Sequence, residues 1–248
     1  MRKLSYIDVA ILLSITFAGV ASAQPTNTNV GFDGGSNGGF GGNAFFESSG
    51  GNPDGNAHFL VESFGIELRN NTPGDPSNPA FLGDYSAAGQ VTIGLDVRVD
   101  DLNFFGTPVG RNLGLMFIDQ DTIGPSGPAG VWFTLGAISQ ASTSDWTRFE
   151  LTIDDFSSTT LPPGWIGFGD EDPNTFEPIL PTGATFASIF EDVDEFRIST
   201  FEPGFFFGFT NFDVRVDNVS IEVTHIPEPG MGLIFLMAAS TGVLRRRR

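Results

Sequence analysis

The chain has no cysteine anywhere in its 248 residues, and no lysine between residues 24 and 226. The first absence excludes a disulfide framework and thiolate chemistry, so the fold must stand on a buried apolar core or on bound metal. The second leaves residues 24–226 with 6 arginines against 28 carboxylates, a net charge of −22. Binding nucleic acid or anionic headgroups needs Lys or Arg to displace counterions, so this surface repels both and attracts divalent cations. Nucleic acid is excluded as a partner. Histidine is nearly missing too, with His58 and His225 alone. That leaves little for a Ser–His–Asp arrangement or a histidine zinc site. Tyrosine occurs twice against 26 phenylalanines, which describes a core of rings buried for apolar area, without hydroxyls to satisfy.

A long amphipathic helix is also absent from the middle of the chain. What is present is alternation. Residues 91–99, VTIGLDVRV, place Val91, Ile93, Leu95, Val97 and Val99 on one face. Residues 147–153 alternate Phe149, Leu151 and Ile153 with Arg148, Glu150 and Thr152. Period two over such lengths predicts half-buried strands. In residues 213–223 the apolar face shifts at Asp217-Asn218, which predicts a bulge. Weaker strand runs are AHFLVES, LGLMFID, VWFTLGA, WIGFGD and EFRIST, separated by turns rich in Gly and Pro. Residues 31–56 are Gly- and Asn-rich but carry Phe32, Phe40, Phe45 and Phe46, so they read as a loop-rich start with one or two short strands. The expectation is one all-β domain over residues 24–224, a single antiparallel β-sandwich.

The ends differ in kind. Residues 1–23 have Arg2 and Lys3, an apolar core over residues 9–20 and the small residues Ala21, Ser22 and Ala23. This predicts a signal peptide cut by signal peptidase between Ala23 and Gln24. The alternative, an N-terminal anchor, is opposed by an apolar core shorter than the ~20 residues a spanning helix needs. Residues 225–248 contain Pro227, Glu228 and Pro229, then an apolar span at 230–244, then Arg245, Arg246, Arg247 and Arg248. A helix over this span rises only about 22 Å, against a hydrocarbon core of about 30 Å. The arginines hold its end in the cytoplasm, and Pro-Glu-Pro gives an extended segment outside.

This three-part tail resembles the PEP-CTERM sorting signal. The resemblance implies recognition by an exosortase, a membrane protease or transpeptidase of Gram-negative bacteria that also make exopolysaccharide. It implies transient insertion in the inner membrane through a short transmembrane sorting helix, then delivery to the cell surface or extracellular matrix. An ordinary uncleaved anchor is the alternative. Residues 50–59 (GGNPDGNAHF), 145–153 (DWTRFELTI) and 212–223 (FDVRVDNVSIEV) resemble jelly-roll domains of the carbohydrate-binding-module or galactose-binding-like kind. In those families a closing Asp-Asn-Val strand lies beside structural calcium, which nominates Asp217.

Calcium takes six to eight oxygen ligands, and the acidic loops offer them. Asp119 and Asp121, in DQDTIG, match the start of an EF-hand loop, although Ile123 and Gly130 stand where later ligands belong. Residues 170–174, DEDPN, have similar acidic density. Sugar platforms are Trp146 and Trp165, which flank turns, and Trp132. The run GFFFGFTNF, residues 204–212, reads as a strand with rings on both faces. Paired carboxylates such as Asp154-Asp155 leave room for a glycosidase. The expected function is a non-catalytic glycan-binding or structural module, bridged to exopolysaccharide through calcium. The alternatives are a glycan-active enzyme using loop carboxylates and a structural matrix protein without ligand.

Overall fold

The computed structural model describes residues 25–225 except 73, 75, 76, 206 and 207. The signal-peptide segment with its Ala23–Gln24 junction and the sorting tail from Pro227 to Arg248 therefore lie outside the described residues. Among the described residues no helix is long and apolar enough to cross a membrane. Residues 24–226 form one compact unit, which contains every described strand and both buried clusters.

In chain order the strands begin with β1 (Thr26–Val30), β2 (Phe40–Gly42), β3 (Phe45–Glu47), β4 (Asn56–Ser63) and β5 (Glu67–Asn70). Then come β6 (Ala88–Phe104), β7 (Thr107–Pro108), β8 (Arg111–Gly124), β9 (Gly127–Ile138) and β10 (Thr147–Ile153). The last are β11 (Trp165–Phe168), β12 (Asp170–Glu171), β13 (Pro178–Ile179), β14 (Glu195–Ser199) and β15 (Thr210–His225), with one short helix, α1 (Phe186–Glu191), before β14. One sheet has the order β10-β6-β15-β4-β3, with β1 also on β15 and β7 on β6. The facing sheet has the order β11-β9-β8-β14-β5-β2. Every pairing is antiparallel, and β12 with β13 makes a separate hairpin. The molecule is an all-β sandwich.

The alternation reads directly onto the core. Val91, Ile93, Leu95, Val97 and Val99 of β6 are at most 1% exposed, while Thr92, Asp96 and Arg98 face outward. Phe32, Phe40, Phe59, Phe81, Phe117, Phe186, Phe190, Phe196 and Phe212 are fully buried between the sheets. α1 plugs one side of this layer, because Phe190 meets Phe117 at 4.8 Å and Phe156 at 5.2 Å between ring centres. Its start is fixed by a reciprocal cap: the Ser188 N–H donates to Thr185 Oγ1 at 3.0 Å and the Thr185 N–H to Ser188 Oγ at 2.9 Å.

Two expectations change. Gly204, Phe205, Gly208 and Phe209 are not in a strand: a turn at Pro203-Gly204, with Gly204 at φ 76°, ends the extended chain, and β15 starts only at Thr210. Trp132 is wholly buried in a small second cluster with Met116 and Ile118, its Nε1 donating to Thr134 Oγ1 at 3.0 Å, so it offers no sugar platform.

β15 organises the site. Its first half, up to Val216, pairs with β4, and from Val219 onward it pairs instead with β1. The register with β6 slips between Asp217 and Ser220, which is the bulge the sequence predicts. Asp217 and Asn218 thus occupy the gap where one neighbour strand ends and the other begins.

Candidate functional site

A bulge at a change of partner re-aims side chains, and here it drives Asp217 into the protein. Its side chain is fully buried. The backbone N–H of Asn218 donates to Oδ1 at 2.6 Å, and that of Asn52 donates to Oδ2. Among the described residues no arginine pairs with it. Burial pushes its carboxyl up to about 6, helped by the charges of Asp96 and Asp33 and opposed by the two backbone hydrogen bonds. The surrounding frame is rigid. Asn218 donates to Asp96 Oδ2 at 2.9 Å and to the Asn52 carbonyl, and Asn52 donates to Asp96 Oδ2 at 3.1 Å. Three residues here, Phe32, Asp54 and Asn218, hold left-handed φ of 53°, 64° and 48°. Asp and Asn tolerate such angles, whereas a bulky residue such as Phe32 holds one only where surrounding structure over-determines it.

Oxygen atoms converge on this carboxylate. A Cβ on Gly51 would lie 1.7 Å from the Gly55 carbonyl oxygen and 2.7 Å from Asp217 Oδ2. A Cβ on Gly55 would lie 2.0 Å from the Phe32 oxygen and 2.9 Å from the Glu47 oxygen. Only glycine fits at either position. Arg148 reaches the outer edge of this group, 3.4 Å from Asp96 Oδ1, whereas Asp217 itself has carboxylate and carbonyl oxygens around it and no nitrogen ligand, a donor set that suits a hard cation such as calcium.

Of the nominated residues, the structure places Asp217 among oxygens in the interior and Asp121 among carboxylates at the surface. Asp119 is buried and accepts the backbone N–H groups of Asp121 and Thr122 at 2.9 and 3.0 Å, so it serves its own turn. Asp121 is exposed and lies instead with Asp192 and Asp194, with one oxygen of each within 4.8 Å of the others. Repulsion, from Asp194 above all, raises the Asp192 carboxyl.

The two tryptophans lie apart, at the starts of strands in different sheets. Trp146 is half-buried, with the Arg98 guanidinium 5.4 Å from its ring centre. Trp165 packs one side of its ring on Phe186 at 4.9 Å and Phe133 at 5.1 Å. Its remaining surface lines a cleft of about 340 Å³ together with Asp154, Asp155, Ser158, Thr160 and Pro162. Asp155 is held below its ordinary range by hydrogen bonds from the side chain and backbone of Ser157.

His58 is buried in the outer face of its sheet, with Nδ1 2.9 Å from Glu47 and Nε2 2.8 Å from Asp213. Arg215 continues the chain of charges from Glu47 to Asp100 at 2.9 Å, and Arg98 meets the same Asp100 oxygen at 2.9 Å. No nucleophile adjoins the ring within this network, which cross-links β3, β4, β15 and β6. Sequence reasoning did not find Asp33, Asp96, Asn52 or the carbonyls around Asp217. The glycine spacing in GGNPDGN was the signal that could have found the carbonyls.

The fold and these sites define a two-sheet antiparallel β-sandwich with a buried carboxylate at the bulge of β15 and an open aromatic cleft. No protein-family model and no curated protein matches the chain. Solved structures similar to it include the C-terminal family 22 carbohydrate binding module of Clostridium thermocellum Xyn10B, at 6% identity and a TM-score of 0.41, covering 81% of this chain and 94% of that one. The L4b domain of human laminin alpha-2 is similar at 16% identity and 0.34, over 64% and 70% of the two chains. An exo-beta-agarase is similar at 13% identity and 0.42, over 82% of this chain and 26% of the agarase.

Proposed function

We propose that the chain is an exported, exosortase-processed protein of the cell surface or extracellular matrix. Its sandwich is a non-catalytic glycan-binding module of jelly-roll type, braced by calcium at Asp217. The observation that carries the binding reading is the Trp165 cleft. A partly exposed indole with two hydroxyl residues and two carboxylates around it offers a sugar ring one apolar wall and several hydrogen-bonding groups. At the bulge, Asp217 would hold calcium with help from Asp33, Asp96 and the carbonyls of Phe32, Glu47 and Gly55. The ion would neutralise the buried carboxylate and tie β1, β15 and the loop before β4 together.

A glycosidase would need one carboxyl raised and one ionised across the cleft. The carboxylates of this cleft, Asp154 and Asp155, are chain neighbours just after β10, which favours binding over hydrolysis. Export rests on the sequence of the two ends. One experiment addresses the whole reading. The protein is recovered from outside an exosortase-bearing host, its intact mass is measured, and it is run through gels containing a panel of exopolysaccharides, with calcium and with chelator. A product lacking the tail after Pro227, retarded by a polysaccharide and released by Asp155→Ala with Thr160→Ala, is the expected result. Retention of Arg248 in the exported product sinks the processing claim. Equal mobility of native and cleft-substituted protein in every gel sinks the binding claim.

A further inference from the structure

One end of the sandwich is neither acidic nor polar. Phe64 follows β4, Phe104 ends β6 with Phe105 in the turn after it, Phe201 follows β14 and Phe209 precedes β15. These rings are 48, 38, 82, 37 and 43% exposed. They form one surface. Phe64 and Phe209 lie 4.9 Å apart edge-to-face, and Phe104 and Phe105 lie 4.7 Å apart. A Cβ on Gly208 would stand 2.6 Å from the Phe104 ring, and one on Gly65 would stand 2.9 Å from Phe201. The loops that carry them, residues 63–66, 103–111 and 199–210, contain one arginine and one glutamate, Arg111 and Glu202. Arg111 donates to the Gly208 carbonyl at 3.5 Å and to Thr210 Oγ1, and Glu202 accepts from Asn112 at 2.8 Å. In a chain of net charge −18 this end is locally neutral.

We propose that this aromatic end is a homophilic contact, through which two copies of the chain meet tip to tip about a twofold axis. Charge and area both single out a second copy. Elsewhere two such acidic surfaces repel, and only a neutral pole lets them approach without that cost. The five rings expose on the order of 500 Å² per copy. With the backbone and polar rim of the same loops, this approaches the roughly 800 Å² per partner of a stable interface. Phenylalanine has no polar handle for sugar hydroxyls, and anionic headgroups would meet no lysine here. The strand directions define the shape of the pair. β15 leaves the tip at Thr210 and runs 16 residues to His225, a distance of about 50 Å. Two copies joined at their tips form a rod with the His225 residues roughly 100 Å apart at its outer ends. This inference stands independently of calcium and of glycan binding.

The test is sedimentation velocity on residues 24–226 from micromolar to near-millimolar concentration, at low and high salt. Phe105 has a left-handed φ of 49°, so Phe105→Asn removes the ring with a residue that tolerates that backbone. Phe176→Asn, at a site also left-handed (φ 61°) and 74% exposed in the turn between β12 and β13, is the control. The expected result is an elongated dimer that tightens as salt screens the net charge. Phe105→Asn weakens it about tenfold or more, and Phe176→Asn leaves it unchanged. A monomer at every concentration overturns the proposal, as does a dimer indifferent to Phe105→Asn. Capture of a persistently monomeric chain by neutral phosphatidylcholine vesicles through Phe105 would also overturn it, in favour of a lipid surface.

Discussion

Asp217 shows how far a single residue can bend the behaviour of the fold. Its carboxyl is pushed up to about 6 in the folded chain, against about 3.9 in an unfolded one. A group raised on folding contributes stability that is complete below the unfolded value and lost as pH climbs through the folded value. Without metal, the protein should therefore be most stable near pH 4 and lose on the order of 3 kcal/mol by pH 7. Asp192, raised by its acidic neighbours, adds a loss of the same sign. Glu47 and Asp100, both lowered, act the other way, and their contribution disappears only below the ordinary carboxylate range. The interval from about pH 5 to 7, above the ordinary carboxylate range, thus isolates the raised groups, and Asp217→Asn separates Asp217 from Asp192. Calcium should restore stability at pH 7 in the native chain and do nothing for Asp217→Asn. Thermal melts with chelator and with calcium across that interval decide it. If both variants show the same pH profile and no metal response, calcium at Asp217 is wrong. The sequence pointed to Asp217 through the resemblance of its Asp-Asn-Val strand to jelly-roll domains, and the shift of apolar face at 217–218 marked the bulge, a local signal. The carboxylates that gather around it come from residues 33 and 96, a convergence set by pairing between distant strands. Nothing in either local stretch marks it.

At the scale of elements, the loop between β3 and β4 packs over Asp217, and its glycines are tightly packed rather than merely flexible. Gly51 has no room for a side chain, since its Cβ would sit 1.7 Å from the Gly55 oxygen. Gly51→Ala must displace that carbonyl or the loop itself. We expect a loss of about 1–3 kcal/mol, together with at least tenfold weaker calcium stabilisation. Melts of Gly51→Ala over a calcium titration read both quantities, and a native half-saturation point would show that the loop carbonyls are not ligands. Strands were the legible elements. β6, β10 and β15 announce themselves because each has one face on the core and one in water, so period two survives in the residue types. The stretch after Gly204 misled for a physical reason: Phe205 and Phe209, rings that look like strand core, become surface when Pro203-Gly204 turns the chain away. α1 was equally hidden. At six residues it is too short for a helical period, and its three buried side chains, Phe186, Ile189 and Phe190, are held by the aromatic layer rather than by propensity.

For the whole molecule, charge is the dominant long-range term. Arg69, Arg98, Arg148, Arg197 and Arg215 pair with carboxylates, often sharing one, as Arg69 and Arg197 share Glu195. With 28 carboxylates against 6 arginines between residues 24 and 226, negative charge remains in large excess. Self-repulsion of this size destabilises the compact state and is screened by salt within a Debye length of about 10 Å. Sodium chloride should therefore raise the melting temperature of residues 24–226 at neutral pH, by about 3 °C or more between low and physiological-to-high salt. A protein held mainly by exposed ion pairs would respond in the opposite direction. The salt effect should persist unchanged in Asp217→Asn, because screening acts on the whole surface, whereas the calcium effect should vanish there. Measuring both responses on both proteins separates a diffuse field from a built site. A melting temperature that stays flat or falls with sodium chloride would mean that the surface carboxylates do not repel enough to matter. The affinity of this surface for divalent cations would then have to come from Asp217 and its neighbours alone.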